Sequence, residues 1–267
     1  MSTSEGQVGT IRVPGGELAY QDRGSGAPVV LLHAAIGDRR GWQLLAPGLA
    51  RNRRVISYDA RGFGGSSRPG RPFALADDLA RLLDALDLPS AALVGNSMGA
   101  ATAVDFALAH PDRVESLVLV APGLSGFDRE DSPVEDRIGE AVDAGDLALA
   151  AELDRRYWAP LDSGPEVELL IDRMVQENAH VYALSDDLLI EPPDATDQLH
   201  RLRPDVLVVL GGEDTEDVRR IGALLGDRVP RVSVATIPGA DHLVPLRAPE
   251  ALLGLIEEHL ERSRTVG

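Results

Sequence analysis

Cysteine is absent from the 267-residue chain. That excludes thiol nucleophiles, thiolate metal sites and disulfides, and it fits a reducing compartment. Lysine is absent too: all 26 basic residues are arginine. No side-chain amine is available to form a Schiff base, so pyridoxal-phosphate chemistry is excluded, and a phosphate-binding P-loop lacks its lysine. Positive charge is outweighed: the net charge is −17, a poor surface for phosphates, which need clustered cations. Nucleic acid is therefore an unsuitable partner. No apolar run reaches the roughly 18 residues that read as a membrane span, and the start of the chain lacks a signal-peptide core. No H-E-x-x-H spacing marks a metal site. Gly62-Phe63-Gly64-Gly65 lacks the spacing and strand–helix context of a dinucleotide fingerprint. The expectation is a cytoplasmic protein, monomer or homodimer, with no cofactor, no metal and no membrane partner. Aromatic residues make up only 4%.

What is present is alternation. Met1–Gly9 reads as a loose tail, and Pro14-Gly15-Gly16 between Thr10–Val13 and Leu18–Gln21 reads as a hairpin. Short unbroken apolar runs follow at Val29–Leu32, Val55–Tyr58, Ala91–Val94, Leu117–Val120, Val206–Leu210 and Val232–Ile237. Such runs suit strands buried on both faces. Between them lie helical stripes: Leu75, Leu79, Leu82, Leu83 and Leu86; Val218, Ile221, Leu224 and Leu225; Leu252, Leu255, Ile256 and Leu260. The predicted class is α/β, with a mostly parallel sheet flanked by helices. From about Pro122 to His200 strands stop, and helical patterns appear at Val134–Ala144, Leu147–Tyr157 and Val167–Leu184. The predicted organisation is an α/β core (residues 1–121 and 201–267) with a helical cap (122–200).

Ligands in such sheets sit at the carboxyl ends of the strands, so the residues after each strand carry the chemistry. Gly95-Asn96-Ser97-Met98-Gly99 follows one strand and precedes the small-residue segment Ala100–Val104. G-x-S-x-G between strand and helix is the nucleophile elbow, a turn so sharp that a Cβ at either glycine would collide with backbone. Ser97 is the candidate nucleophile, placed where a helix dipole favours negative charge. A serine hydroxyl needs a base. Of six histidines, His242 sits late in the chain after the last strand, in Pro238-Gly239-Ala240-Asp241-His242. His33 belongs to an earlier loop, His110 reads as structural, His180 and His200 fall in or beside the insertion, and His259 is expected at the surface.

The acid that orients the base should lie between serine and histidine in sequence. Asp214, after Val206–Leu210, is the candidate, with Glu213 and Asp217 as competitors; Asp217 is expected at a helix start facing solvent. Two backbone N–H groups should hold the oxyanion. Met98 supplies one and Ala35, in His33-Ala34-Ala35-Ile36-Gly37, the other, with Ala34 as the neighbouring alternative. Trp42 is a candidate wall of the site or a core residue. Phe127, Tyr157, Trp158, Met174 and Tyr182, in the predicted cap, are candidate substrate contacts or packing for the cap itself.

These motifs resemble the 3-oxoadipate enol-lactonase-like group of α/β-hydrolases, including carboxylesterases. The resemblance also rests on Leu32–Ala35, Tyr58-Asp59-Ala60-Arg61-Gly62-Phe63-Gly64-Gly65-Ser66, Ala109–Val114, Gly211–Asp214 and Gly239–His242, and it covers nearly everything outside the insertion. Members usually carry glycine where Ala34 stands. The resemblance implies a triad of Ser97, Asp214 and His242, an oxyanion hole at Met98 and Ala35, and hydrolysis of a small ester or lactone through an acyl-enzyme. Relatives with an aspartate at the elbow catalyse dehalogenation or epoxide opening, which Ser97 argues against. Other chemistries share the triad: carbon–carbon bond hydrolysis, cofactor-free peroxidase, lyase and cyclase reactions. The same fold also serves as a small-molecule receptor.

Overall fold

The alternation closes into a single sheet. A computed structural model describes residues 6–265. Strands β1 (Gln7–Val13) and β2 (Gly16–Gly24) form an antiparallel hairpin. Its two-residue turn pairs Pro14, whose ring presets φ, with Gly15 at φ +82°. Gln7–Gly9, expected as tail, pair with Asp22–Tyr20 as strand; residues 1–5 lie outside the described residues. Strands β3 (Pro28–Leu32), β4 (Arg54–Tyr58), β5 (Ala91–Asn96), β6 (Val114–Val120), β7 (Asp205–Gly211) and β8 (Val232–Ile237) follow. The sheet order is β1-β2-β4-β3-β5-β6-β7-β8, antiparallel up to β2–β4 and parallel from β4 onward. The carboxyl ends of six parallel strands therefore gather along one edge.

The helices are α1 (Ala46–Leu49), α2 (Leu75–Ala85), α3 (Met98–Ala109), α4 (Pro133–Asp143), α5 (Leu147–Trp158), α6 (Pro165–Glu177), α7 (Glu216–Arg228), α8 (Val244–Arg247) and α9 (Pro249–Thr265). The predicted stripes face the core: Leu79, Leu82 and Leu83 of α2, Val218, Ile221 and Leu225 of α7, and Leu252, Ile256 and Leu260 of α9 are buried. Together with the central strands they form one apolar cluster. Its burial on both faces explains why β3, β5 and β7 read as unbroken apolar runs. Strand β8 differs. It is an edge strand whose Ser233, Val234 and Thr236 are exposed, so its apolar run does not mark two-sided burial. No helix among the described residues is long and apolar enough to cross a membrane.

Between β6 and β7 the chain makes the expected helical excursion, α4 to α6 followed by short 3-10 turns. The predicted helix Val167–Leu184 stops at Glu177. Asn178 ends it: its side-chain amide donates to the Met174 carbonyl (2.8 Å) and to Asp38 (3.0 Å), and its oxygen accepts from Gly64 N–H (2.8 Å). Tertiary hydrogen bonds thus override helical periodicity. His259, expected at the surface, is buried, and its Nε2 lies 2.8 Å from the Ser116 hydroxyl beneath α9.

One buried ion pair secures the loop after β4. Arg61 grips Asp78 of α2 with two N–H groups (2.9 and 2.5 Å) and donates a third to the Pro14 carbonyl (2.7 Å). It so joins hairpin, loop and helix, with Phe73 stacked 4.7 Å from the guanidinium. Burial raises the Asp78 carboxyl above its ordinary range, and the Arg61 hydrogen bonds and charge oppose that rise. Asp78→Ala would leave the guanidinium buried without its counter-ion. We expect a loss of about 3–5 kcal/mol in chemical denaturation; a loss under about 1 kcal/mol would show the pair to be dispensable.

Candidate active site

Ser97 sits at the tip between β5 and α3 with φ +55° and ψ −114°. A non-glycine residue there carries strain of about 1–3 kcal/mol and must be held by its neighbours. Its N–H donates to Val120 (3.0 Å), and its carbonyl accepts from Ala100 (2.9 Å) and Gly123 (3.1 Å). The flanking glycines are steric requirements. A Cβ on Gly95 would strike the Gly99 carbonyl, and one on Gly99 would strike the Leu32 carbonyl. Helix α3 can therefore start directly above β3.

His242 and Asp214 meet beside it. His242 follows β8, Asp214 follows β7, and both are buried. His242 Nδ1 lies 3.1 and 3.0 Å from the two Asp214 carboxylate oxygens. The proton on Nδ1 follows from that network, which leaves Nε2 as the basic nitrogen. Asp214 also accepts from Thr215 N–H (2.7 Å). Its competitors point elsewhere. Glu213 is exposed. Asp217 does lie in the first turn of α7, but it does not face solvent: it pairs with Arg220 (2.9 Å) and lies 3.7 Å from Arg129, with a side chain only 12% exposed.

Asn96, within the elbow motif, binds Val120 and His242 carbonyls (both 3.1 Å) and so ties the serine turn to the histidine loop. His33 plays a comparable part for the loop after β3. Its Nε2 accepts from Ala60 N–H (2.9 Å), so Nδ1–H donates to the Ala34 carbonyl (2.8 Å). Gly37 N–H reaches the same carbonyl (3.1 Å). In a trans peptide this fixes the Ala35 N–H in the opposite direction.

A cavity of about 470 Å³ opens over these groups. Ser97, His242, Met98 and Ala35 all line it, with Ala34, Ile36, Ala101, Leu124 and Ile138 as apolar wall. Of the aromatic and methionine candidates only Trp158 lines it; its ring stacks 4.2 Å from the His242 imidazole. The others lie elsewhere, which corrects their assignment as contacts. Trp42 is a core residue, 1% exposed. Phe127 packs on the core under Arg220. Tyr157 stands edge-on to Trp158. Met174 is fully buried in a small cluster with Ile171 and Leu246. Tyr182 is one residue removed, donating its hydroxyl to Asp154 (2.5 Å). The remaining wall is polar and charged: Ser125, Arg129, Glu135 and Asp154. No hydrophobic pattern flags such residues. Among the described residues no cluster of His, Asp and Glu is arranged to hold a metal.

The sheet order and the serine elbow facing a carboxylate-bound histidine define an α/β-hydrolase. The chain belongs to that family: the model for the alpha/beta hydrolase fold matches residues 27–249. It is similar to 3-oxoadipate enol-lactonase 2 of Acinetobacter baylyi, 28% identical over 78% of this chain and 79% of that one. It is also similar to 2-hydroxy-6-oxo-2,4-heptadienoate hydrolase of Pseudomonas putida, 40% identical over 47% of this chain. The chain spans about half the length of that curated relative, 49%. Among solved structures, a thermophilic esterase from Thermogutta terrifontis superposes with a TM-score of 0.80 at 31% identity, covering 96% of this chain and 99% of that one.

Ser125 has a buried partner on α3. It donates to Asp105 Oδ2 (2.8 Å), while Asp105 Oδ1 is buried with no hydrogen-bond partner among the described residues. Burial pushes the Asp105 carboxyl up to about 6, against the Ser125 hydrogen bond. The folded state therefore retains a proton that the unfolded chain loses from about pH 4. This group's contribution is full below pH 4 and falls as pH rises to about 6. Relative to the wild type, Asp105→Asn should gain about 1–2 kcal/mol between pH 4.5 and pH 7.5 in urea denaturation. A pH-independent difference would refute the assignment.

Proposed function

We propose that this protein is a serine hydrolase that cleaves a small carboxylic ester or lactone through an acyl-enzyme. The observation that carries the reading is the shared cavity: Ser97 on its strained turn lines it beside His242, whose Nδ1 is held by Asp214. Identity of 31% to an esterase over nearly its whole length supports the ester class.

The chemistry follows from the geometry. Ser97 Oγ attacks the substrate carbonyl carbon while its proton passes to His242 Nε2. The carbonyl oxygen becomes an oxyanion, met by the N–H groups of Met98, at the start of α3, and Ala35, whose direction His33 and Gly37 fix. Asp214 holds the tautomer and stabilises the imidazolium. Collapse breaks the bond to the alkoxide, which takes the proton from Nε2 and leaves. Water, deprotonated by His242, then attacks the acyl-serine; collapse breaks the bond to Ser97 Oγ, which takes the proton back from Nε2, and the acid leaves. The segment 122–200 acts as a cap: Arg129, Glu135, Asp154 and Trp158 bring its side chains over the strand ends, where they shape the acyl or leaving-group pocket. Carbon–carbon bond cleavage by the same residues is the second reading, favoured by the 40% identity over half the chain to the heptadienoate hydrolase.

A fluorophosphonate should add one adduct, on Ser97, and Ser97→Ala should abolish both labelling and turnover of p-nitrophenyl esters and simple lactones. Asp214→Asn should keep the fold and cut kcat roughly 10²–10⁴-fold, because the amide favours the wrong tautomer. Asp217→Asn should change kcat by less than about threefold. Reversal of that order would move the acid to Asp217. Turnover of a vinylogous 1,5-diketone with none of any ester would favour the second reading.

A further inference from the structure

The charges of the cavity wall do not balance. Arg129 is the one arginine lining it, and Arg129 is already engaged: it pairs with Glu135 and lies 3.7 Å from Asp217. Asp154 has no such partner. It projects from α5, one turn before Trp158; its hydrogen bonds come from neutral donors, the Tyr182 hydroxyl at 2.5 Å and the Trp158 side chain, while His242 and Glu135 act on it through charge alone. Arg155, its neighbour in sequence, pairs with Glu168 instead, and Arg247 with Glu168 and Asp241. The cavity thus offers a carboxylate without a counter-ion, close to the imidazole it shares Trp158 with.

We propose that Asp154 is a specificity-determining residue, and that the substrate is an ester or lactone carrying a protonated amine whose N–H is accepted by the Asp154 carboxylate. This rests on the hydrolase reading above and names its substrate class. Two neutral hydrogen bonds leave each carboxylate oxygen capacity for a further donor. A partly desolvated carboxylate gains from a cation, because the local dielectric is below that of water. Burial raises the Asp154 carboxyl above its ordinary range, the Tyr182 and Trp158 hydrogen bonds and the His242 charge oppose that rise, and Glu135 adds to it; a bound cation would hold the carboxylate ionised. The chain's charge of −17 adds a field that concentrates cations rather than anions at a cleft. A substrate carboxylate would find Arg129 occupied and Asp154 repulsive.

The test uses the full chain and two isosteric pairs. In one the charge is on the alcohol: 2-(dimethylamino)ethyl acetate against 3-methylbutyl acetate. In the other it is on the acid: ethyl 4-(dimethylamino)butanoate against ethyl 5-methylhexanoate. Binding is measured by calorimetry on Ser97→Ala, which reads recognition without turnover. In at least one pair the ammonium ester should bind about tenfold tighter or more. That preference should vanish in Ser97→Ala/Asp154→Asn. It should survive in Ser97→Ala/Tyr182→Phe, which loses the hydroxyl but keeps the carboxylate. Equal binding in both pairs, a preference that outlasts Asp154→Asn, or its loss in Tyr182→Phe would each overturn the proposal. Parallel kcat/KM values with the Ser97 enzyme separate the two ideas. A binding preference without any turnover overturns the hydrolase reading alone, while turnover without charge preference overturns the role of Asp154 alone.

Discussion

The approach of α3 to β3 is the constraint on which the site depends. A helix can begin directly over a parallel strand only if no side chain intervenes, and Gly99 against the Leu32 carbonyl meets that demand. Gly95 against Gly99 closes the turn from the other side. Between them Ser97 is driven into positive φ and out of the sheet. The conformation costs energy locally, and the hydrogen bonds to Val120, Ala100 and Gly123 hold it. The other functional loops are then keyed to this turn, through Asn96 to the His242 backbone and through Leu32 to the His33–Gly37 loop.

The parts of the site built on strand ends were legible in the sequence, because each follows an apolar run, one of them with a motif that only one backbone geometry tolerates. Gly95–Gly99 is that motif, and His242 and Asp214 could be placed by chain order. The wall of the cavity was not legible. Helical aromatics and methionine are the natural candidates for a pocket, yet Met174 packs among Ile171 and Leu246, and Trp42 lies in the main core. The residues that do reach the cavity, Arg129, Glu135 and Asp154, look like a solvent-facing set in so acidic a chain. Only the tertiary fold reveals that the chain before α4 and one side each of α4 and α5 turn toward the cavity. His259 shows the same limit: a histidine on a terminal helix reads as surface until Ser116 provides its buried partner. β8 is the converse, an apolar run that proves to be a half-exposed edge.

Polar side chains repeatedly end or redirect elements where periodicity would continue them. Asn178 stops α6 by bonding Asp38 and Gly64, and thereby pins the helical excursion to loops after β3 and β4. Arg61 does the same for the hairpin and α2. These contacts link segments far apart in sequence, so their partners cannot be inferred from local spacing.

The residue before the histidine has a mechanical consequence. Asp241 is fully buried; it accepts from Leu161 N–H (3.1 Å) and is gripped by Arg247 at 3.1 and 3.0 Å. Arg247 in turn donates to the Leu161 carbonyl (2.6 Å) and pairs with Glu168 of α6. The loop that carries His242 and the junction between α5 and α6 are thus welded by a desolvated ion pair that is expensive to separate. Parting the helical excursion from the histidine loop would have to break this buried pair. The chain between β6 and α4 is exposed at Asp128, Arg129 and Glu130, yet Arg129 and Glu130 pair with Asp217 and Arg220 of α7. The weld ties the histidine loop and the junction after α5, the helix that ends at Trp158, into one unit beside the cavity.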